Sequence, residues 1–187
     1  MALNKRRYVW CFSFCLAVFL VGFLIGNFIT FPEGLIPEQS LKADASVAAR
    51  IRNVSTLKTI LFNNSKVFLM LAIGILTCGI LSVIFSLLMG GFIGLLVNFI
   101  LTHGGSRLLV LASMVPHGIF EMTAFMGLAA LGVYFAWKVY DHTEGRDVDW
   151  VSEAKTYGLF ALIVYVIVVV AAFIETYVTP AVAAYFI

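Results

Sequence analysis

The chain has 187 residues, of which 62% are hydrophobic and 12% charged, and its mean hydropathy is +1.03. Soluble domains are about 45–50% apolar and about 25% charged, and a domain of this size cannot hide such an excess in one core. Composition therefore excludes a soluble globular protein and indicates an integral membrane protein, while a net charge of +2 leaves no electrostatic footprint for nucleic acid.

The first apolar run, Tyr8–Phe31, follows the basic cluster Lys5-Arg6-Arg7. It is longer than a signal-peptide core of about 7–15 residues and ends in NFITFPEG without a small-residue cleavage site, so it reads as a retained transmembrane helix over about residues 8–31. Gly22 and Gly26 within it form a GxxxG pattern, which lets a second helix approach closely, either in the same chain or in a homodimer. The two prolines of FPEGLIPEQS break any continuation of that helix. Ser40 then caps an amphipathic connector over about 38–62. Its Leu41, Val47, Ile51, Val54, Leu57, Ile60 and Leu61 recur near helical spacing, with Lys42, Asp44, Arg50 and Arg52 elsewhere on the wheel, as in a helix lying on the bilayer or against a bundle.

The apolar run Val67–Thr102 is too long for one span of about 20 residues. It divides into helices at about 66–87 and 89–102, with the break expected in SLLMGGFIG, where Gly90 and Gly91 supply turn freedom. Gly90 and Gly94 also offer a second close-contact face. After the polar turn HGGSRLL, with Ser106 as N-cap, a short helix over about 106–115 is expected as an interfacial or re-entrant segment. Pro116 opens the next span, to about residue 140, at the helix position where proline fits best. The aqueous loop DHTEGRDVDWVSEAK carries five acids and two bases, and the last span runs over about 156–179, ended or kinked by Pro180. The expected architecture is a single all-α membrane domain of five transmembrane helices plus short accessory helices. The alternation of a membrane barrel is lacking.

Cys11, Cys15 and Cys78 all fall in apolar runs without a CxxC, and read as small apolar fillers rather than as a disulfide or zinc framework. By the positive-inside rule, Lys5, Arg6 and Arg7 place the N-terminus in the cytoplasm and an odd number of spans places the C-terminus outside. The sequons at Asn53 and Asn63 fit an outer connector.

The chemistry lies in the few ionisable residues inside apolar runs. His117 and Glu121 are four residues apart, hence on one helix face, and a helix opening at Pro116 would place them near free backbone N–H groups. Glu175, in AAFIETYVTPA, is a second intramembrane acid, and His103 and Arg107 flank the turn before Pro116. A charge at bilayer depth costs about 2.5–3.5 kcal/mol on insertion scales, so these acids are expected to face the bundle interior and find partners.

PHGIFE at Pro116–Glu121, with Gly118 inside it, and AAFIETYVTP at Ala171–Pro180 together resemble the stage II sporulation protein M family. NNSKVF at Asn63–Phe68 and MGGFIG at Met89–Gly94 add to the resemblance, which covers about residues 63–180. It implies a membrane protein of about five passes. For the namesake of spore-forming bacteria it implies a membrane scaffold for a peptidoglycan-degrading complex, with membrane or cell-envelope proteins as partners.

Three readings of the polar residues follow. In the first, His117, Glu121 and Glu175 form a buried hydrogen-bonded network in a non-catalytic scaffold. In the second, the acids carry protons or cations along a small transport path. In the third, His117, Glu121 and Glu175 ligate a metal in an intramembrane enzyme, although one histidine and two acids without HExxH is a thin zinc set. Ser113 is four residues before His117 but separated from it by Pro116, and no nucleophile–histidine–acid set emerges. The sequence leaves the cofactor unassigned, and the bilayer is the partner that composition requires.

Overall fold

The computed structural model describes residues 4–29, 53–103 and 105–186. Helix α1 (Lys5–Asn27) is capped by Asn4, whose side chain accepts from the Arg7 amide. Helix α2 (Val54–Ile73) is capped by Asn53 and ends in a 3-10 turn, Gly74–Thr77. Helix α3 spans Ile80–Thr102, and α4 runs unbroken over Arg107–Thr143 behind the Ser106 cap. Helix α5 (Trp150–Phe173), capped by Asp149, passes through a π turn at Ile174–Val178 into α6 (Thr179–Ala183) and a last 3-10 turn, Ala184–Phe186. Five of these helical stretches are long and apolar enough to cross a membrane, and no strand occurs among the described residues. The chain is an all-α, membrane-type bundle.

Helix α4 is the axis of this bundle. Its middle, AFMGLAALG (124–132), is buried all round, as expected of a helix without a polar face, and the other spans pack on it. The small residues Ala124, Gly127, Ala129, Ala130 and Gly132 let these neighbours approach. Tyrosines pin the spans to one another's backbones: the Tyr8 hydroxyl donates to the Gly127 carbonyl at 3.0 Å, and the Tyr157 hydroxyl donates to the Ala72 carbonyl at 2.6 Å. At the end of the bundle nearest the N-terminus, Arg7 and Arg146 both pair with Asp141, and Lys138 pairs with Glu153 at 2.6 Å. The last turns of α4 are thereby tied to α1 and α5.

Helices α1 and α3 form the most intimate pair. A Cβ added at Gly22 would lie 2.1 Å from the Leu87 carbonyl oxygen, and one at Gly26 would lie 1.9 Å from that of Gly91. In return, Gly90 and Gly94 sit against the Phe19 and Phe23 carbonyls, at 2.0 and 2.1 Å from an added Cβ. Both glycine faces are thus consumed within one chain, where they bring two backbones into direct contact. They are not free to bind a second copy.

Four expected boundaries differ. The α2–α3 break is at Cys78–Gly79, not at Gly90–Gly91. Cys78 (φ 48°) and Gly79 (φ 80°) are both left-handed, and their amides bond the Ile75 and Gly74 carbonyls. Glycine takes that conformation without the steric cost that a Cβ imposes, whereas Gly90 and Gly91 stay helical, and the missing side chain of Gly90 serves helix contact. Cys78 is accordingly exposed at a turn, while Cys11 and Cys15 are buried and fill the core. The connector placed over 38–62 overlaps α2, which already starts at Val54; its residues 38–52 lie outside the described residues. The segment 106–115 is not a separate interfacial or re-entrant helix but the start of α4, and Pro116 lies inside that helix. Proline is tolerated in a membrane helix because neighbouring groups can satisfy the carbonyl it frees. Of the two outcomes expected at Pro180, the irregularity is the one found: the chain widens into the π turn just before it and the helix resumes. Fourth, the loop between α4 and α5, expected over Asp141–Lys155, shrinks to Glu144–Asp149 because both helices extend into it.

Candidate functional site

Helix α4 carries His117 and Glu121 one turn apart, on the same face. The π turn presents Glu175, and Thr179 follows four residues later at the start of α6. Helix α2 contributes Asn64. One ligand-capable atom from each of His117, Glu121 and Glu175 lies within 4.8 Å of the other two. The Asn64 amide nitrogen donates to a Glu121 carboxylate oxygen, and His117 Nδ1 and Thr179 Oγ1 are hydrogen-bonded at 3.1 Å. Thr179 is buried, and His117, Glu121, Glu175 and Asn64 are half-buried. Beside the centre, the Ser65 and Tyr165 hydroxyls share a 3.3 Å hydrogen bond that links α2 to α5.

The wider π turn has a local consequence. Such turns re-aim side chains within a helix and recur at functional positions. Here one holds Glu175 against α4, while Thr176 donates its hydroxyl to the Ala172 carbonyl.

Chemically, the centre offers one imidazole and two carboxylates. Ionised carboxylates are acceptors only, and two of them side by side cannot both stay charged without a compensating proton or cation. Asn64 satisfies part of Glu121. Among the described residues Glu175 has no hydrogen bond or ion pair, and no lysine or arginine bridges either acid. With Nδ1 engaged by Thr179, the His117 Nε2 is the ring nitrogen left to face a ligand. Among the described residues, those grouped so that they could hold a metal are therefore His117, Glu121 and Glu175.

The structure brings together the three residues marked out by sequence, but not through a helix N-terminus. Pro116 is interior, so His117 and Glu121 face a fully formed helix rather than free amides. Gly118 has open space where a Cβ would go, so no close approach requires it. His103 and Arg107 are exposed and stand apart from the centre. His103 bonds the Phe99 carbonyl and stacks on its ring, and Arg107 is ten residues before His117, about 15 Å along α4. The Ser113 hydroxyl donates to the Leu109 and Val110 carbonyls and serves its own helix. Asn64 and Thr179 had no role assigned from sequence. The available signals were their neighbours: Asn64 stands in the NNSKVF segment, and Thr179 is one helical turn beyond Glu175.

The combination of a five-span bundle with this His–Glu–Glu centre can be compared with known families. The family model described as stage II sporulation protein M (SpoIIM) matches residues 15–180. The chain belongs to the SpoIIM family. The match includes all five residues of the centre. The chain is also similar to an uncharacterized protein of Methanocaldococcus jannaschii, at 33% identity over 174 residues, which cover 91% of this chain and 94% of that protein. No solved structure matches the chain.

Proposed function

We propose that this SpoIIM-family chain is a non-catalytic membrane scaffold whose polar centre fixes the relative positions of α2, α4 and the α5–α6 segment. The observation that carries this reading is the mutual pairing of groups from separate helices: Asn64 with Glu121, and His117 with Thr179. In a bilayer these contacts specify which faces meet, a task that apolar packing among similar aliphatic surfaces does poorly. The scaffold stands in the membrane with its N-terminus in the cytoplasm and its C-terminus outside, and it works by holding membrane or envelope protein partners or a second copy.

One observation favours a second reading, a proton- or cation-linked path: Glu175 sits beside Glu121 without a hydrogen bond or ion pair of its own. Substitutions at Glu121 separate the two. Glutamine keeps size and hydrogen-bonding reach but does not ionise. For a scaffold, Glu121→Gln stays near wild type in yield and in thermal stability when both proteins are compared after chelator treatment, and Glu121→Ala loses about 1–3 kcal/mol through the groups left unpaired. A flux in liposomes containing only the purified chain, removed by Glu121→Gln at unchanged stability, would overturn the scaffold reading.

A further inference from the structure

We propose that His117, Glu121 and Glu175 form a binding site for one divalent first-row cation, of the zinc or manganese class, which closes the polar centre by bridging α4 to the π turn. The inference rests on the reading of this centre as the element that joins the helices, and adds to it a ligand that nothing in the amino-acid pairing supplies.

Four observations support it. First, the three donor atoms already lie within 4.8 Å of one another. Metal–ligand bonds of about 2.0–2.2 Å hold tetrahedral ligands roughly 3.4 Å apart, so side-chain movements of about an ångström complete the set. Second, the donors come from two separate segments. His117 and Glu121 are spaced i, i+4 on one face of α4, and Glu175 comes from the π turn. A cation here is a cross-brace rather than a surface ion. Third, the histidine is oriented from behind. Thr179 holds Nδ1 at 3.1 Å and leaves Nε2 without a hydrogen bond, the arrangement that outer-shell partners give to metal-bound histidines. Asn64 likewise holds Glu121. Fourth, the charge is incomplete. Two carboxylates face each other with no lysine or arginine paired to either among the described residues, and a divalent cation balances both in one step.

Ligand chemistry selects the ion. An imidazole with two carboxylates suits zinc, manganese or ferrous iron. Magnesium prefers an all-oxygen, largely hydrated octahedron and is a poor match for imidazole.

The test uses the full-length chain purified in detergent. Elemental analysis is expected to find about one zinc or manganese per chain. Stripping with a chelator lowers the thermal midpoint, and adding zinc or manganese back restores it, while magnesium does not. Glu175→Gln is the decisive variant, because it removes a ligand without touching the Asn64–Glu121 or His117–Thr179 contacts. It should bind zinc at least about tenfold more weakly, and its midpoint should equal that of the stripped wild type. Wild-type protein that neither contains nor takes up a first-row metal overturns the site, as does Glu175→Gln with wild-type zinc affinity. The network reading fails by a different result: Asn64→Ala and Thr179→Val that leave the stability of stripped protein unchanged.

Discussion

Asn64 and Thr179 are the neutral partners of an otherwise ionisable centre, one bonded to Glu121 and the other to His117. Removing the Thr179 hydroxyl leaves the histidine nitrogen without its partner in a buried position. Thr179→Val, which preserves shape, is expected to cost about 1 kcal/mol, and Thr179→Ser to stay close to wild type; equilibrium unfolding in mixed micelles measures both. The sequence marks His117, Glu121 and Glu175 because ionisable side chains in apolar runs are costly and need company. It does not mark Asn64 or Thr179, because neutral hydroxyls and amides in membrane helices commonly bond their own backbone. Ser86, Ser113 and Thr176 do just that, each to a carbonyl four residues back. Only the fold separates a threonine that serves its own helix from one that reaches across to another.

At the level of elements, glycine decides both the helix pairing and the point at which the chain turns. Gly90 and Gly91 are neighbours with different duties. A Cβ at Gly90 would stand 2.0 Å from the Phe19 carbonyl, whereas one at Gly91 meets nothing nearer than 3.7 Å. Gly91→Ala is therefore expected to be neutral or to stabilise by up to about 1 kcal/mol through helix propensity. Gly90→Ala must push α1 away from α3 and should cost more than about 2 kcal/mol, in the range of overpacked core substitutions. Thermal unfolding of the two variants side by side checks the contrast. The five spans were legible in hydropathy and length, because both follow from bilayer thickness. The α2–α3 break was not. A glycine pair in an apolar run supports a turn or a close helix contact equally well, and Gly79, the residue that takes the left-handed turn, stands alone after Cys78. The continuity of α4 through Pro116 was hidden for a related reason: proline suits the start of a helix, yet inside a membrane bundle its freed carbonyl can be satisfied by surrounding groups.

For the whole molecule, the proposed orientation puts the N- and C-termini on opposite faces and turns the Cys78–Gly79 bend toward the cytoplasm. Cys78 is exposed while Cys11 and Cys15 are buried, so the native chain carries its own topology probe. A membrane-impermeant maleimide should label Cys78 in inside-out vesicles and spare it in intact cells; labelling from outside would reverse the orientation. The ion-pair cluster of Arg7, Asp141 and Arg146 with Lys138–Glu153 fastens the same end of the bundle, and the polar centre links α2 to α4 and α4 to α6 nearer the other. That second fastening is the central claim, and a double-mutant cycle between Asn64 and Glu121 tests it most directly. Wild type, Asn64→Ala, Glu121→Ala and the double variant are unfolded under the same conditions. A direct contact between α2 and α4 predicts a coupling energy of about 1 kcal/mol, within the range of interhelical hydrogen bonds in membranes. Single-variant losses that add to within about 0.3 kcal/mol, the behaviour of independent sites, would contradict it.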